Sequence, residues 1–179
     1  MNRAKFKALV HYIIAKSDPA TLGAIRLNKI LFYIDAFAFQ ATGQSLTGET
    51  YVKRQHGPVP KDILRILGEL EDSKAIVIRN RGRVPTARRD YISMVTPNTA
   101  TLGVEDLEIA DFVREDICEN HTASSISLLS HTHVWEAANI GETIPLEATL
   151  VSAFGEVTRE AKKWADSVTK RYEAIHQAA

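Results

Sequence analysis

The stretch from Arg26 to Pro60, RLNKILFYIDAFAFQATGQSLTGETYVKRQHGPVP, leaves this chain few ways to fold. Leu27, Ile30, Leu31, Ile34, Ala38 and Ala41 repeat at helical spacing, and Phe32, Tyr33, Phe37 and Phe39 add apolar bulk outside that stripe. Arg26, Asn28, Lys29 and Asp35 are its few polar interruptions. A helix so nearly apolar all round must be enclosed by other elements, which makes it the hub of the fold. Gly43 ends it, Glu49 to Gln55 reads as a short strand, and His56-Gly57-Pro58-Val59-Pro60 reads as a rigid corner opening the next helix. Gly57 is placed to supply a φ that other residues resist.

The flanking segments fill in a mainly helical α+β pattern. Phe6, Leu9, Val10, Ile13 and Ile14 predict a first helix ending near Lys16, and Asp18-Pro19 supplies a cap and first-turn proline for the hub helix, or a short break before Thr21. Ile63, Leu64, Ile66, Leu67 and Leu70 form the apolar face of the next helix. Ala75 to Ile78 and Tyr91 to Val95 read as strands joined by a long loop from Arg79 to Asp90, a hairpin that resembles the wing of a winged-helix domain. The strand near Tyr51 could join it as a third. A helix is expected from Gly103 to about Glu119, a short one capped by Ser124 or Ser125, another capped by Thr132 and containing Trp135, and a loop from Gly141 to Pro145. From Leu146 to His176 the pattern is helical, with Val157, Ala161, Trp164, Val168 and Ile175 on one stripe.

Length and charge narrow the function. A chain of 179 residues fits one domain that buries about 70% of its unfolded surface without staples. Lys plus Arg and Asp plus Glu both total 22, so any attraction to nucleic acid must come from a local patch. The single Cys118 excludes an internal disulfide and a multi-cysteine zinc site, which suits a reducing cytoplasm. No apolar run approaches the ~20 residues of a membrane span, and the N-terminus lacks a signal-peptide core.

Catalytic signatures are missing. There is no G-x-S-x-G elbow, Walker loop, G-x-G-x-x-G or H-E-x-x-H. His131 and His133, with Glu136 and His121 nearby, are two apart at a helix junction, where a helix would turn them about 200° from each other, so packing or capping is expected over a metal. His56 is the best single candidate for chemistry, but no acid or nucleophile is identifiable beside it. Hydrogen bonds from its imidazole to the turn are the simpler expectation. Lys29 is expected to pair with an acid or reach a carbonyl, or to face a partner, because an unpaired buried charge is very costly. No cofactor is expected.

The strongest electrostatic feature is the hairpin. Lys74, Arg79, Arg81, Arg83, Arg88 and Arg89 face Asp90 alone, while Glu105 to Glu119 form an acidic helix. Such arginines clamp carboxylates or phosphates bidentately, which leaves three readings: folding back on the acidic helix or simple solvation, a protein partner, or a nucleic-acid wing.

Lys29-Ile30-Leu31-Phe32-Tyr33 followed by His56-Gly57-Pro58-Val59 resembles the signature of the Panacea antitoxin domain, a phage-associated family that includes the SocA-type proteolytic adaptor. Leu128-Leu129-Ser130-His131-Thr132-His133, then Trp135-Glu136-Ala137 and Ile144-Pro145, is similar to the family's C-terminal motif, with Val134 where members often carry Pro. The resemblance spans roughly Thr21 to Phe154. It implies a single Panacea-like domain over 1–179, with 155–179 as a helical extension. It implies a cytoplasmic, non-enzymatic antitoxin that binds a toxin encoded nearby or delivers it to a protease, with Tyr33, Gly57, Pro58 and Trp135 as structural signature residues. Lys29, Arg54, His56, Arg79, Arg81 and Arg83 are the residues expected to meet the toxin. The alternative is a winged-helix DNA-binding regulator reading through the helix from Lys61 to Leu70, although Asp62 and Glu69 suit phosphate poorly.

Overall fold

The hub helix is where the sequence places it. The computed structural model describes residues 1–82, 88–147 and 149. Helix α1 (Arg3–Lys16) is capped by Asn2, whose side chain accepts from the Lys5 amide, and helix α2 spans Pro19–Thr42. The Asp18 side chain accepts from the Ala20 amide at the start of α2, Pro19 fills its first turn, and Gly43 closes it at φ +73°. Leu27, Ile30, Leu31 and Ile34 have no exposed surface, and Phe32 is buried as well. The predicted stripe fails at its end, where Ala41 is exposed, and Phe37 also faces outward. The expected break before Thr21 lies instead at Gly23, whose φ of +56° and ψ of 167° kink α2.

Strand β1 (Tyr51–Arg54) turns through Gln55-His56 into β2 (Gly57–Pro60), its antiparallel partner, with Val52 opposite Val59 and Lys53 opposite Pro58. This corrects the expectation that the prolines end extended structure and open a helix. Strand β2 is an edge strand of the order β2-β1-β5, where a residue without an N–H is tolerated. The third member, β5 (Thr143–Ile144), pairs with Tyr51 and Val52 inside the segment read as a loop.

Helix α3 (Ile63–Asp72) buries Ile63, Ile66, Leu67 and Leu70 but leaves Leu64 67% exposed, off the predicted face. Strands β3 (Ile76–Arg81) and β4 (Arg88–Ser93) then form a separate two-stranded sheet, so β1 is not its third strand. The pairing keeps register from Ile76↔Ser93 to Arg81↔Arg88, which carries the strands three residues further on each side than the apolar pattern suggested. Helix α4 (Val104–Asn120) follows, then α5 (Ala123–Leu129) and α6 (His133–Ala137). Thr122, not Ser124 or Ser125, caps α5 in a reciprocal pair with Ser125, while Thr132 caps α6 as predicted.

Helix α2 packs against α1, α4, α5, β2 and β4, and Phe6, Ile13, Ile66, Ile76, Tyr91 and Ala110 close the core around it. Among the described residues no helix is long and apolar enough to cross a membrane. The proposed extension 155–179 and Arg83 lie outside the described residues.

Candidate functional site

Two polar groups on α2, one turn and a half apart, organise the region around the β1–β2 turn. Lys29 is 1% exposed, and its Nζ donates to the Pro58 carbonyl at 2.9 Å. Burial pushes this amine down to about 7. The interaction is the carbonyl contact anticipated for a buried lysine, and it spans 29 residues of sequence to tie α2 to the edge strand. Asp35 is fully buried and accepts from the Thr47 amide at 2.8 Å and the Thr47 hydroxyl at 2.6 Å. The Tyr51 hydroxyl lies 2.7 Å from Asp35 Oδ2 and 2.8 Å from the Leu31 carbonyl. Burial raises the Asp35 carboxyl, against the pull of the Thr47 and Tyr51 hydrogen bonds. Tyr51 has one hydroxyl proton for two acceptors. That proton lies between the Asp35 carboxylate and the Leu31 carbonyl, either of which can accept it.

The turn itself is held from the other side by α5. Ser127 Oγ donates to the His56 carbonyl at 3.1 Å, and Ser130 Oγ donates to the Ser127 carbonyl at 2.7 Å. Gly57 adopts φ +100°, and a methyl group there would collide with Ser130 Oγ and lie 2.5 Å from Lys29 Nζ. Gly57 is therefore required both for its backbone conformation and for the close approach of Lys29 and Ser130 to the chain. The expectation that the His56 imidazole fixes the turn is corrected. Its backbone carbonyl is the anchor, and the side chain stands exposed with Arg54 and Gln55.

Beside this cluster Trp135 stacks flat on His131, with ring centroids 3.6 Å apart and planes 2° apart, and Lys53 Nζ lies over the Trp135 ring at 4.2 Å. Lys53 Nζ also donates to the Glu136 and Ala138 carbonyls at 3.1 and 2.9 Å, fastening α6 to β1. Burial lowers the His131 imidazole from its ordinary range, and nearby Lys29 lowers it further. Its burial favours the uncharged ring that stacks on Trp135. Tyr33, the remaining signature residue, is half-buried and packs edge-on against Phe32, which packs edge-on against Tyr51.

The structure therefore unites Lys29, Gly57 and Pro58 at one turn, with Trp135 beside it, and presents Arg54 and His56 on its surface. It leaves Arg79 and Arg81 on the separate β3–β4 hairpin, on strands and not in the long loop the sequence suggested. Arg81 pairs with Asp90 at 3.2 Å and Arg88 with the same carboxylate at 3.5 Å, while Arg79 is exposed. Ser127, Ser130, Lys53 and the Thr47–Tyr51 partners of Asp35 were not singled out from sequence. For Ser130 a signal existed, because it lies inside the Leu128–His133 motif.

Helix α3, the reader in the DNA-binding alternative, has its charges engaged at home. Glu69 pairs with Arg3 and Lys7, and Arg65 pairs with Asp62 at 2.6 Å. Among the described residues no three His, Cys, Asp or Glu side chains converge on a metal-sized space.

Residues 27–136, more than half of the chain and inside the span of the resemblance, match the family model described as antitoxin SocA-like, Panacea domain. No curated protein and no solved structure matches the chain. The matched region contains Lys29, Gly57, Pro58, Ser127 and Ser130, the residues that build the braced turn, and Trp135 beside it. The chain belongs to the SocA-like antitoxin family of the Panacea domain.

Proposed function

We propose that this protein is a non-enzymatic antitoxin that neutralises a cognate protein toxin by direct binding, through a surface made of the β1–β2 turn and α5. One observation carries the reading. Lys29, Gly57, Pro58, Ser127 and Ser130 are spent on bracing a turn, and the brace ties the exposed Arg54-Gln55-His56 segment to α5, where Leu128 and Leu129 are 67% and 60% exposed. An arginine and protruding leucines on a backbone held from two sides make a recognition surface that loses little conformational freedom on binding.

The test is co-expression with the toxin-like open reading frame beside this gene. Restored growth and a co-purifying complex are expected, and failure of both removes the proposal. Leu128→Asp, at a position that points to solvent, should weaken the complex by about tenfold or more without unfolding the protein. Delivery to a protease, the mode of the SocA-type adaptor, would instead show as a shortened toxin half-life in the presence of the antitoxin. Duplex DNA retarded by the free protein at low salt would favour the regulator reading.

A further inference from the structure

A cavity of about 310 Å³ lies at the break in α2. Leu22, Ala24 and Ile25 of α2 and Ala123 of α5 give it apolar walls, and Arg88 and Arg89 of β4 complete it. Arg26 also lines the cavity, but its guanidinium is spent on the Thr21 and His121 carbonyls. Among the described residues no acid lines it.

Arg88 is the group that the fold leaves unserved. Its guanidinium packs on the kink, where a methyl group on Gly23 would lie 3.4 Å from Nε. Nε and Nη2 are both buried, and among the described residues neither has a hydrogen-bond partner. Asp90 Oδ1 is 3.5 Å from Nε, close enough for ionic attraction and too far for a good hydrogen bond, and the same carboxylate also serves Arg81. Two buried donors without an acceptor cost stability that a bound acceptor would restore. The side chain stays 37% exposed beside them, which gives a ligand access.

The kink adds positive potential of its own. A φ of +56° and a ψ of 167° at Gly23 interrupt the helical ladder, so Ala24 begins a new turn with the partial positive charge of a helix start. The Thr21 carbonyl reflects the interruption, because it accepts from Arg26 Nη1. An anion placed between the helix start and the guanidinium satisfies both.

We infer that this cavity binds the phosphate of a small phosphate monoester, held side-on by Nε and Nη2 of Arg88, with the apolar part of the ester on Ala24, Ile25 and Ala123. Phosphate is favoured over carboxylate because the donors come from two elements, and a tetrahedral dianion offers oxygens to both. The cavity shares no residue with the β1–β2 turn or with Leu128 and Leu129, and its binding is measured on the antitoxin alone. Failure here leaves the toxin-binding proposal standing, and the reverse holds too.

Isothermal titration calorimetry of the full chain in chloride buffer, with phenyl phosphate as the probe, should show one site per chain. Inorganic phosphate should bind at least about threefold more weakly, because it leaves the apolar walls uncovered. Arg88→Gln should weaken the probe at least about tenfold, while Arg79→Gln on the outer hairpin should change it less than about twofold. Ala24→Asp, which places a carboxylate in the cavity, should exclude the probe and serves as the second variant if Arg88→Gln fails to fold. Affinity weaker than about 10 mM would overturn the inference, as would binding that Arg88→Gln and Ala24→Asp leave intact. Equal losses in Arg79→Gln and Arg88→Gln would overturn it by revealing a diffuse attraction to the hairpin. Inorganic phosphate or benzoate binding as tightly as phenyl phosphate would overturn the assignment to a phosphate monoester.

Discussion

Gly57 carries two constraints that no other residue type meets together. Its φ of +100° is strained for any side chain, and the space a Cβ would need is taken by Ser130 Oγ and Lys29 Nζ. Both neighbours are side-chain ends, which elsewhere could swing aside. Here each is 1% exposed and hydrogen-bonded, Lys29 to Pro58 and Ser130 to Ser127, so moving either one strands a buried polar group. Gly57→Ala should therefore cost about 2–4 kcal/mol, read as a lowered urea midpoint at unchanged slope. The identity of this glycine was legible in the sequence, because His56-Gly57-Pro58 announces a corner. Its reason was not, since Lys29 and Ser130 reach it from positions 28 residues before and 73 residues after in the chain.

At the scale of elements, the β3–β4 hairpin and the β1–β2 turn divide what looked like one basic surface. Register places Arg79 opposite Asp90 and Arg81 opposite Arg88, and Asp90 draws in both Arg81 and Arg88. One carboxylate thereby touches two guanidinium groups but offsets a single positive charge, so the hairpin stays strongly basic. Asp90 is only 14% exposed and the Arg88 guanidinium lies against Gly23, so it is the outer Arg79 and Arg81 that remain available to a partner. If the hairpin joins the toxin interface, Arg79→Glu with Arg81→Glu should slow association about tenfold at low salt and flatten its salt dependence, with little change in melting temperature. Unchanged association kinetics across salt would remove the hairpin from the interface and leave the β1–β2 turn as the recognition element. The hairpin's existence followed from two short apolar segments, Ala75 to Ile78 and Tyr91 to Val95, but its length did not. Strand pairing continues through arginines whose polarity hides them from any apolar pattern.

For the molecule as a whole, the cost of burying charges in the hub sets how stability responds to pH. Lys29 falls from 10.5 to about 7 on folding, so between those values the unfolded chain holds a proton that the folded chain has released. Stability must rise with pH across that window, by at most about 1.4 kcal/mol per pH unit for one group. Cys118 is pushed up by burial from 9.0, and Tyr12, Tyr33, Tyr51 and Tyr91 are all pushed up from 10.0. Above about pH 9 these groups ionise first in the unfolded chain and reverse the trend. Urea midpoints should therefore climb from neutral pH to a maximum near pH 9 and then fall. Lys29→Met should flatten the climb and lower the whole curve, because it leaves the Pro58 carbonyl without its donor. A curve that keeps its climb in Lys29→Met would show that some other group releases the proton.

The sequence by itself determined the hub and most of the helices, though not β2 or β5. Helical spacing from Leu27 to Ala38, the Asp18-Pro19 start and the Gly43 stop are local signals, and local backbone preference is enough to obey them. It also carried the family, whose motifs are short and contiguous. What only the tertiary structure decided is which partners those elements find. Strand β1 takes β5 and not the hairpin, Lys29 reaches Pro58, and Asp35 gathers Thr47 and Tyr51, because a charge buried in the hub is held by whatever partner the packing brings within reach. That choice depends on distances across the folded chain, and spacing along the sequence does not encode them.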